Sequence, residues 1–333
     1  MLEWAQHAGR ECLVVRGLAL DAVRLGVVPS EVASAAQPMA GEFAVDGEVV
    51  RFTPRHPFMG GVSYSLMVDG AEVGRLLRAA PAVAPSAQVV AIHPSTVEVP
   101  LNLLRIYVQF SASMSEGWAS RAVSMCRADT GGPIEGTFLH MEPELWDGEH
   151  RRLTVLLDPG RIKRGLVPNL EVGYPLVQRV PVVVKVASVF RDAEGQPLRA
   201  GAERRYQVGP PVRARVDPAA WRWRLPAVGS VEALGLEFGR ALDHALLGRC
   251  LWVTDAAGVR IEGSASAGEG ERSWWFAPRR AWDARAKVLV VDTTLEDVAG
   301  NSVARVFDRE LGRGADDPLN VRRLRYPFRL SGA

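Results

Sequence analysis

The stretch Leu139 to His150, LHMEPELWDGEH, gathers His140, Met141, Glu142, Glu144, Asp147 and His150 into one short segment. Two imidazoles beside a thioether suit copper, and the carboxylates suit harder ions. The spacing matches no standard metal motif, however. Along a strand His140 and Glu142 would share a face while Met141 points away. A solvated hairpin end explains the segment more simply, so neither metal nor cofactor is assigned to it. A second cluster, Asp292, Glu296, Asp297 and Asn301, could supply the oxygen ligands that Ca²⁺ takes. The same Asp and Asn types also shape turns by bonding their own backbone. The turn is preferred, because LEDVAGNSV (295–303) has a counterpart in VFRDAEGQPL (189–198) and a weaker one in LMVDGAEVGRL (66–76).

The third group is cationic. Asp158 followed by Pro159 is a helix-start signal and Gly165 a stop, so PGRIKRG should form one short helical turn holding Arg161, Lys163 and Arg164 together. The ELWD segment, with Trp146 and Asp147, sits on the preceding hairpin. Two readings stand side by side: a capped connector whose cations pair with Glu142, Glu144 and Asp147, or a contact surface for a protein partner or an anionic ligand. In the second reading Arg161 and Arg164 grip a carboxylate or phosphate with both arms. Both loops are longer here than their counterparts elsewhere in the chain, and enlarged loops are where binding is added. Arg161, Lys163, Arg164, Trp146 and Asp147 are therefore the candidate binding residues. Of the nine tryptophans, Trp221, Trp223, Trp274, Trp275 and Trp282 crowd the last third, where indole faces could stack on sugar rings or pack a core. No GxSxG, HExxH or phosphate-binding P-loop occurs, and the expectation is a protein that is not an enzyme.

Positioning these residues requires a scaffold. With 333 residues the chain exceeds one ordinary core and suits two or three domains. Apolar residues make up 47% and charged residues 23%, the balance of a globular protein. Its 40 basic and 38 acidic residues leave a net charge of +2, which offers no footprint for nucleic acid. Three scattered cysteines, Cys12, Cys126 and Cys250, define no disulfide framework and no zinc spacing, and buried thiols are expected. No apolar run reaches the roughly 18 residues of a membrane span. The opening MLEWAQHAGRECLVV lacks a basic segment followed by an apolar one, so it does not read as a secretory signal.

Self-similarity organises the rest. Pro94, Pro100, Phe110 and Met114 are answered at near-constant spacing by Pro218, Pro226, Phe238 and Leu242, and IEGTF at Ile134 by IEGSA at Ile261. A shorter copy upstream contributes MAGEF and FTP (52–54), which matches LDP (157–159) and FAP (276–278). Within the copies LRIYVQF, RRLTVLL, VPVVVKVASVF and AKVLVVDTTL are strand-like runs between Gly, Pro, Asn and Asp punctuation. Helical periodicity is confined to short stretches at 115–125 and 240–249. Regular short strands in units of about 100 residues imply Greek-key sandwiches.

These motifs resemble the bacterial immunoglobulin-like domain of the S-layer-protein type: opening prolines, a strand ending FSASM, IEGTF, an F-x-P strand end and the closing DVAGN at Asp297 to Asn301. The resemblance covers roughly Val89 to Glu310, and more weakly Leu13 to Leu76. It implies an all-β chain of tandem immunoglobulin-like Greek-key β-sandwiches, at 1–86, 87–210 (with enlarged loops) and 211–333. It also implies an extracytoplasmic setting and a binding, spacer or surface-assembly role with a protein or cell-surface component as partner. The alternative is an accessory carbohydrate-binding part of a secreted hydrolase system.

Overall fold

A computed structural model describes residues 2–18, 24–30, 38–79, 85–310 and 312–332. It contains six sheets, grouped in three successive pairs. The first pair joins β1 (Leu2–His7), β2 (Arg10–Arg16), β4 (Gly41–Asp46) and β5 (Val49–Pro54) in the order β1-β2-β5-β4, against β3 (Leu25–Pro29), β6 (Ser63–Val68) and β7 (Ala71–Leu77). The second sets β12 (Leu145–Trp146), β13 (Arg152–Leu156), β10 (Arg105–Phe110) and β8 (Val89–His93) against β11 (Val123–Arg127), β14 (Val182–Val186), β15 (Ala202–Gly209) and β9 (Glu98–Pro100). The third sets β16 (Arg222–Arg224), β17 (Leu234–Glu237), β20 (Ser273–Pro278) and β19 (Gly263–Ala267) against β18 (Leu251–Asp255), β21 (Lys287–Asp292) and β22 (Arg323–Phe328). Among the described residues no ladder joins one pair to another. The chain is thus an all-β protein of tandem immunoglobulin-like Greek-key sandwiches. The link at 80–84, beside the first expected boundary, lies outside the described residues.

Alternation produces these sheets. In β13 Leu153 and Val155 are buried while Arg152, Thr154 and Leu156 are half-buried, the period-2 pattern of a strand with one face in the core. The central β21 is buried along nearly its whole length, so its side chains are covered on both faces of the sheet as well as flanked by β18 and β22 at its edges. Helices are short: α1 (Ala119–Ala122), α2 (Pro159–Ile162), α3 (Val167–Val172) and α4 (His244–Cys250). Asp158 caps α2 by accepting from the Gly160 amide at 2.8 Å, with Pro159 at the first position. Asp243 caps α4 through the Leu246 amide at 3.0 Å. All three cysteines are free and buried.

The apolar cores are not independent. One continuous cluster runs from Leu13 and Phe52 of the first domain through Phe58 and Met59 to Trp118, Phe110 and Val184 of the second, and reaches Val298 of the third. The third domain's own core, around Trp274 and Leu289, is separate.

Candidate functional site

The recurring Asp/Gly segment forms turns, and the turns are also where the domains meet. In the third domain Asp297 accepts from the amides of Ala299 and Asn301, both at 2.9 Å, and its other oxygen lies 3.1 Å from Arg240. Burial raises its pKa against these partners. Its oxygens are therefore committed internally. Gly300 has φ +81°, a conformation that side chains resist, and a Cβ there would strike Leu104 of the second domain. Leu104 in turn donates its amide to the Val298 carbonyl at 2.9 Å. The equivalent Gly195, φ +81°, faces the first domain: a Cβ would lie 2.6 Å from the Gly60 oxygen and 2.8 Å from Met59 carbon. Gly70, φ +83°, holds the corresponding connection in the first domain, and among the described residues nothing lies within 4 Å of a Cβ there.

Polar pins flank the second joint. Tyr107 donates to Asp243 at 2.7 Å, and Arg105 bridges Asp243 and Glu296. Burial opposes the charge on Arg105, but the two carboxylates outweigh it. Glu271, 1% exposed, receives the His93 Nδ1 at 2.7 Å and the Ser95 amide at 2.5 Å, with His244 Nδ1 at 3.3 Å. Burial disfavours its charge, yet His244, His93 and the Ser95 amide together pull its pKa down to about 2. Such a network leaves little freedom between the domains.

Of the residues singled out by sequence, Lys163 and Arg164 belong to this fastening, while Arg161, Trp146 and Asp147 make their contacts within the second domain. Arg161 is buried, and its guanidinium donates to the carbonyls of Gly173 (3.0 Å), Gly136 (2.8 Å) and Tyr174 (3.0 Å). Lys163 places its ammonium 4.5 Å over the Phe307 ring of the third domain. Arg164 donates Nε to Asp308 at 2.6 Å, and Arg213 approaches the same carboxylate at 3.4 Å. The acids that meet Arg164 are thus Asp308 and Glu310, and among the described residues no ion pair joins the three cations to Glu142, Glu144 or Asp147. The reason is local: α2 carries the cations toward the 307–310 segment, while Glu142 pairs with His140 at 2.9 Å and Glu144 with the Ala119 amide at 2.7 Å. Trp146 packs on Phe110, Phe190 and His150, and donates to Glu144 at 2.9 Å. Asp147 accepts from the Arg151 and Arg152 amides, closing the turn. Among the described residues no hydrogen bond or ring contact joins the cationic trio to Trp146 or Asp147.

What the enlarged loop builds is a groove. Segment 138–139 still runs beside β13, with Leu139 donating to Leu156 at 2.8 Å, and then departs through His140 to Pro143. The departure opens a cavity of about 710 Å³ between the loop, the edge strand β11 and the first domain. Met39 and Met59 contribute from the first domain; Met125, Phe138 and Val155 line it from the second. Its volume is that of a ligand-sized cleft. The charged lining is mainly acidic, with Glu116, Glu135, Glu142 and Glu144 against Arg55. Burial raises the pKa of Glu144 despite its hydrogen bonds. On the rim, His56 Nε2 lies 3.1 Å from Glu116, and the His150 ring packs on His56 at 4.4 Å.

The tryptophans of the third domain serve packing. Trp221, Trp274 and Trp282 are buried. Trp223 packs on Phe328, Trp252 lies between Arg260 and Arg323, and Trp275 covers Gly235.

No family model matches the sequence, and no curated protein does. Among solved structures the chain is similar to native alpha-2-macroglobulin from Escherichia coli spanning domains MG0-NIE-MG1, at 10% identity and TM-score 0.25 over 73% of this chain and 71% of that one. It is also similar to a chimeric titin Z1Z2 carrying a decorin-derived peptide (10% identity, TM-score 0.20, 63% and 90% covered) and to a marsupial T cell receptor (9%, 0.18, 87% and 96%). Among the described residues no helix is long and apolar enough to cross a membrane. The sheets themselves identify the chain as a series of immunoglobulin-like β-sandwiches.

Proposed function

We propose that this protein is a non-catalytic, extracytoplasmic binding and spacer module of the S-layer-protein type that its DVAGN and proline motifs resemble. In this reading its joints hold the domains at fixed angles, and the groove at the first joint receives a protein partner. The observation that supports it most is the groove itself, because its walls come from two domains whose cores are continuous. Apolar walls with four glutamates at their edges suit an extended apolar segment carrying a lysine or arginine. Selecting peptides from a random library on the immobilised protein tests this. Binders should be apolar with one or two cations, and should lose binding to Ser124→Trp, which plugs the groove from the exposed face of β11. Binders indifferent to that substitution would show that the partner docks outside the groove.

A further inference from the structure

Four of the six histidines lie in two triads, and each triad spans a joint with a glutamate in the middle. The two differ in geometry. At the second joint the rings of His93 and His244 are stacked, with centroids 3.5 Å apart and planes 18° apart, and both Nδ1 atoms address one oxygen of Glu271. A metal bound by both nitrogens would require the rings to splay, so that triad is a hydrogen-bonded pin. At the first joint His56, Glu116 and His150 are arranged otherwise. The His56 and His150 centroids are 4.4 Å apart with planes tilted by 54°. One donor atom from each residue lies within 4.8 Å of the other two. Ligands about 2.0–2.1 Å from a tetrahedral zinc ion lie roughly 3.3 Å from each other. The His56 Nε2 to Glu116 distance of 3.1 Å already meets that edge, and the His150 nitrogen, within 4.8 Å of both, must approach by at most about 1.5 Å.

We propose that His56, Glu116 and His150 form a transition-metal site, selective for Zn²⁺ over hard cations, that ties the first domain to the second and keeps a coordination position open at the rim of the groove. Two imidazoles and one carboxylate are a borderline-soft donor set. The ligands come from three separate segments: the loop after β5, the loop after β10 and the turn between β12 and β13. His150 is held in place by its backbone. It has φ +54°, uncommon for a residue with a side chain, and is fixed there by the Met114 amide donating to its carbonyl at 2.9 Å and by its own amide donating to Asp147 at 3.0 Å. The Trp146 indole backs its ring at 5.7 Å, nearly parallel. With a single carboxylate in the set, the bound ion keeps net positive charge, and the open position takes water or an anionic oxygen.

Chelator-stripped protein titrated with Zn²⁺ against a chromophoric competitor should show one equivalent bound with Kd below about 10 µM, and Co²⁺ should give the visible absorption of a four- or five-coordinate ion. His56→Ala and His150→Ala should each weaken binding at least tenfold, while His93→Ala and His140→Ala leave it unchanged. Should His150→Ala fail to fold, Glu116→Gln gives the same readout with the loop intact. Binding weaker than about 100 µM, or binding that survives loss of His56 and of Glu116, overturns the proposal.

Discussion

Replacing Gly195 by Ala probes the first joint with an internal control. Gly70 and Gly195 share the left-handed backbone, φ +83° and +81°, so an alanine at either costs the same conformational term, about 1–2 kcal/mol. Only Gly195 faces another domain. With a Cβ 2.6 Å from the Gly60 oxygen, the 59–60 loop must retreat about 1 Å to reach an ordinary contact. That movement pulls Met59 from Trp118, whose indole donates to its sulfur at 3.1 Å. A gap of about 1 Å forfeits roughly a quarter to a half of the dispersion contact between the two side chains, and weakening the buried indole–sulfur bond costs about 1 kcal/mol more. Gly195→Ala should therefore destabilise the protein by about 2 kcal/mol or more beyond Gly70→Ala. Urea unfolding followed by tryptophan fluorescence measures both, with X-ray scattering to register any opening between the domains. Equal losses within about 0.5 kcal/mol, with unchanged scattering, would refute the claim that the turn is a joint.

Three further outcomes follow from the same contacts. Glu271 has a folded-state pKa depressed to about 2, below its ordinary 4.5, so its contribution is present above pH 4.5 and lost as pH falls toward 2. The shift corresponds to at most about 3 kcal/mol. Because burial raises Glu144 and Glu296 in the opposite sense, the readout is the difference between wild type and Glu271→Gln across pH 2–7, which should shrink toward acid. Asp308→Asn removes the carboxylate shared by Arg164 and Arg213 and should loosen the third domain by about 1–2 kcal/mol, the partial exposure of Arg164 limiting the loss; faster proteolysis at the 163–173 connector would report it. Added Ca²⁺ or EGTA should leave the melting temperature unchanged, because Asp297 is saturated by amides and Arg240; a shift of several degrees would restore the calcium reading.

The strands were legible because their burial is local. LRIYVQF, RRLTVLL and AKVLVVDTTL became β10, β13 and β21, and Asp158-Pro159 started a helix, since each signal depends only on neighbouring residues. The joints were not legible. His56, Glu116 and His150 lie in three distant segments, and no spacing rule connects them; His150 alone fell within the stretch inspected for metal ligands. The cations Arg161, Lys163 and Arg164 were found by type, but the partners of Lys163 and Arg164, Phe307 and Asp308, lie in another domain, beyond the reach of a loop-to-loop argument, and Arg161 is spent on backbone carbonyls. Gly195 and Gly300 read as turn residues, and their second role appears only when the neighbouring domain is packed against them. The one sequence hint was that both copies place Gly, rather than Asn, at the tip.

Joints of this kind should hold the domains at fixed angles to one another. Spin labels at exposed Glu48 of the first domain and Glu262 of the third, with Cys12, Cys126 and Cys250 replaced by Ala, allow the separation to be measured by pulsed electron–electron double resonance. A single narrow distance distribution, broadened in the Gly195→Ala/Gly300→Ala double variant, is the predicted result. A distribution already broad in the parent protein would contradict it.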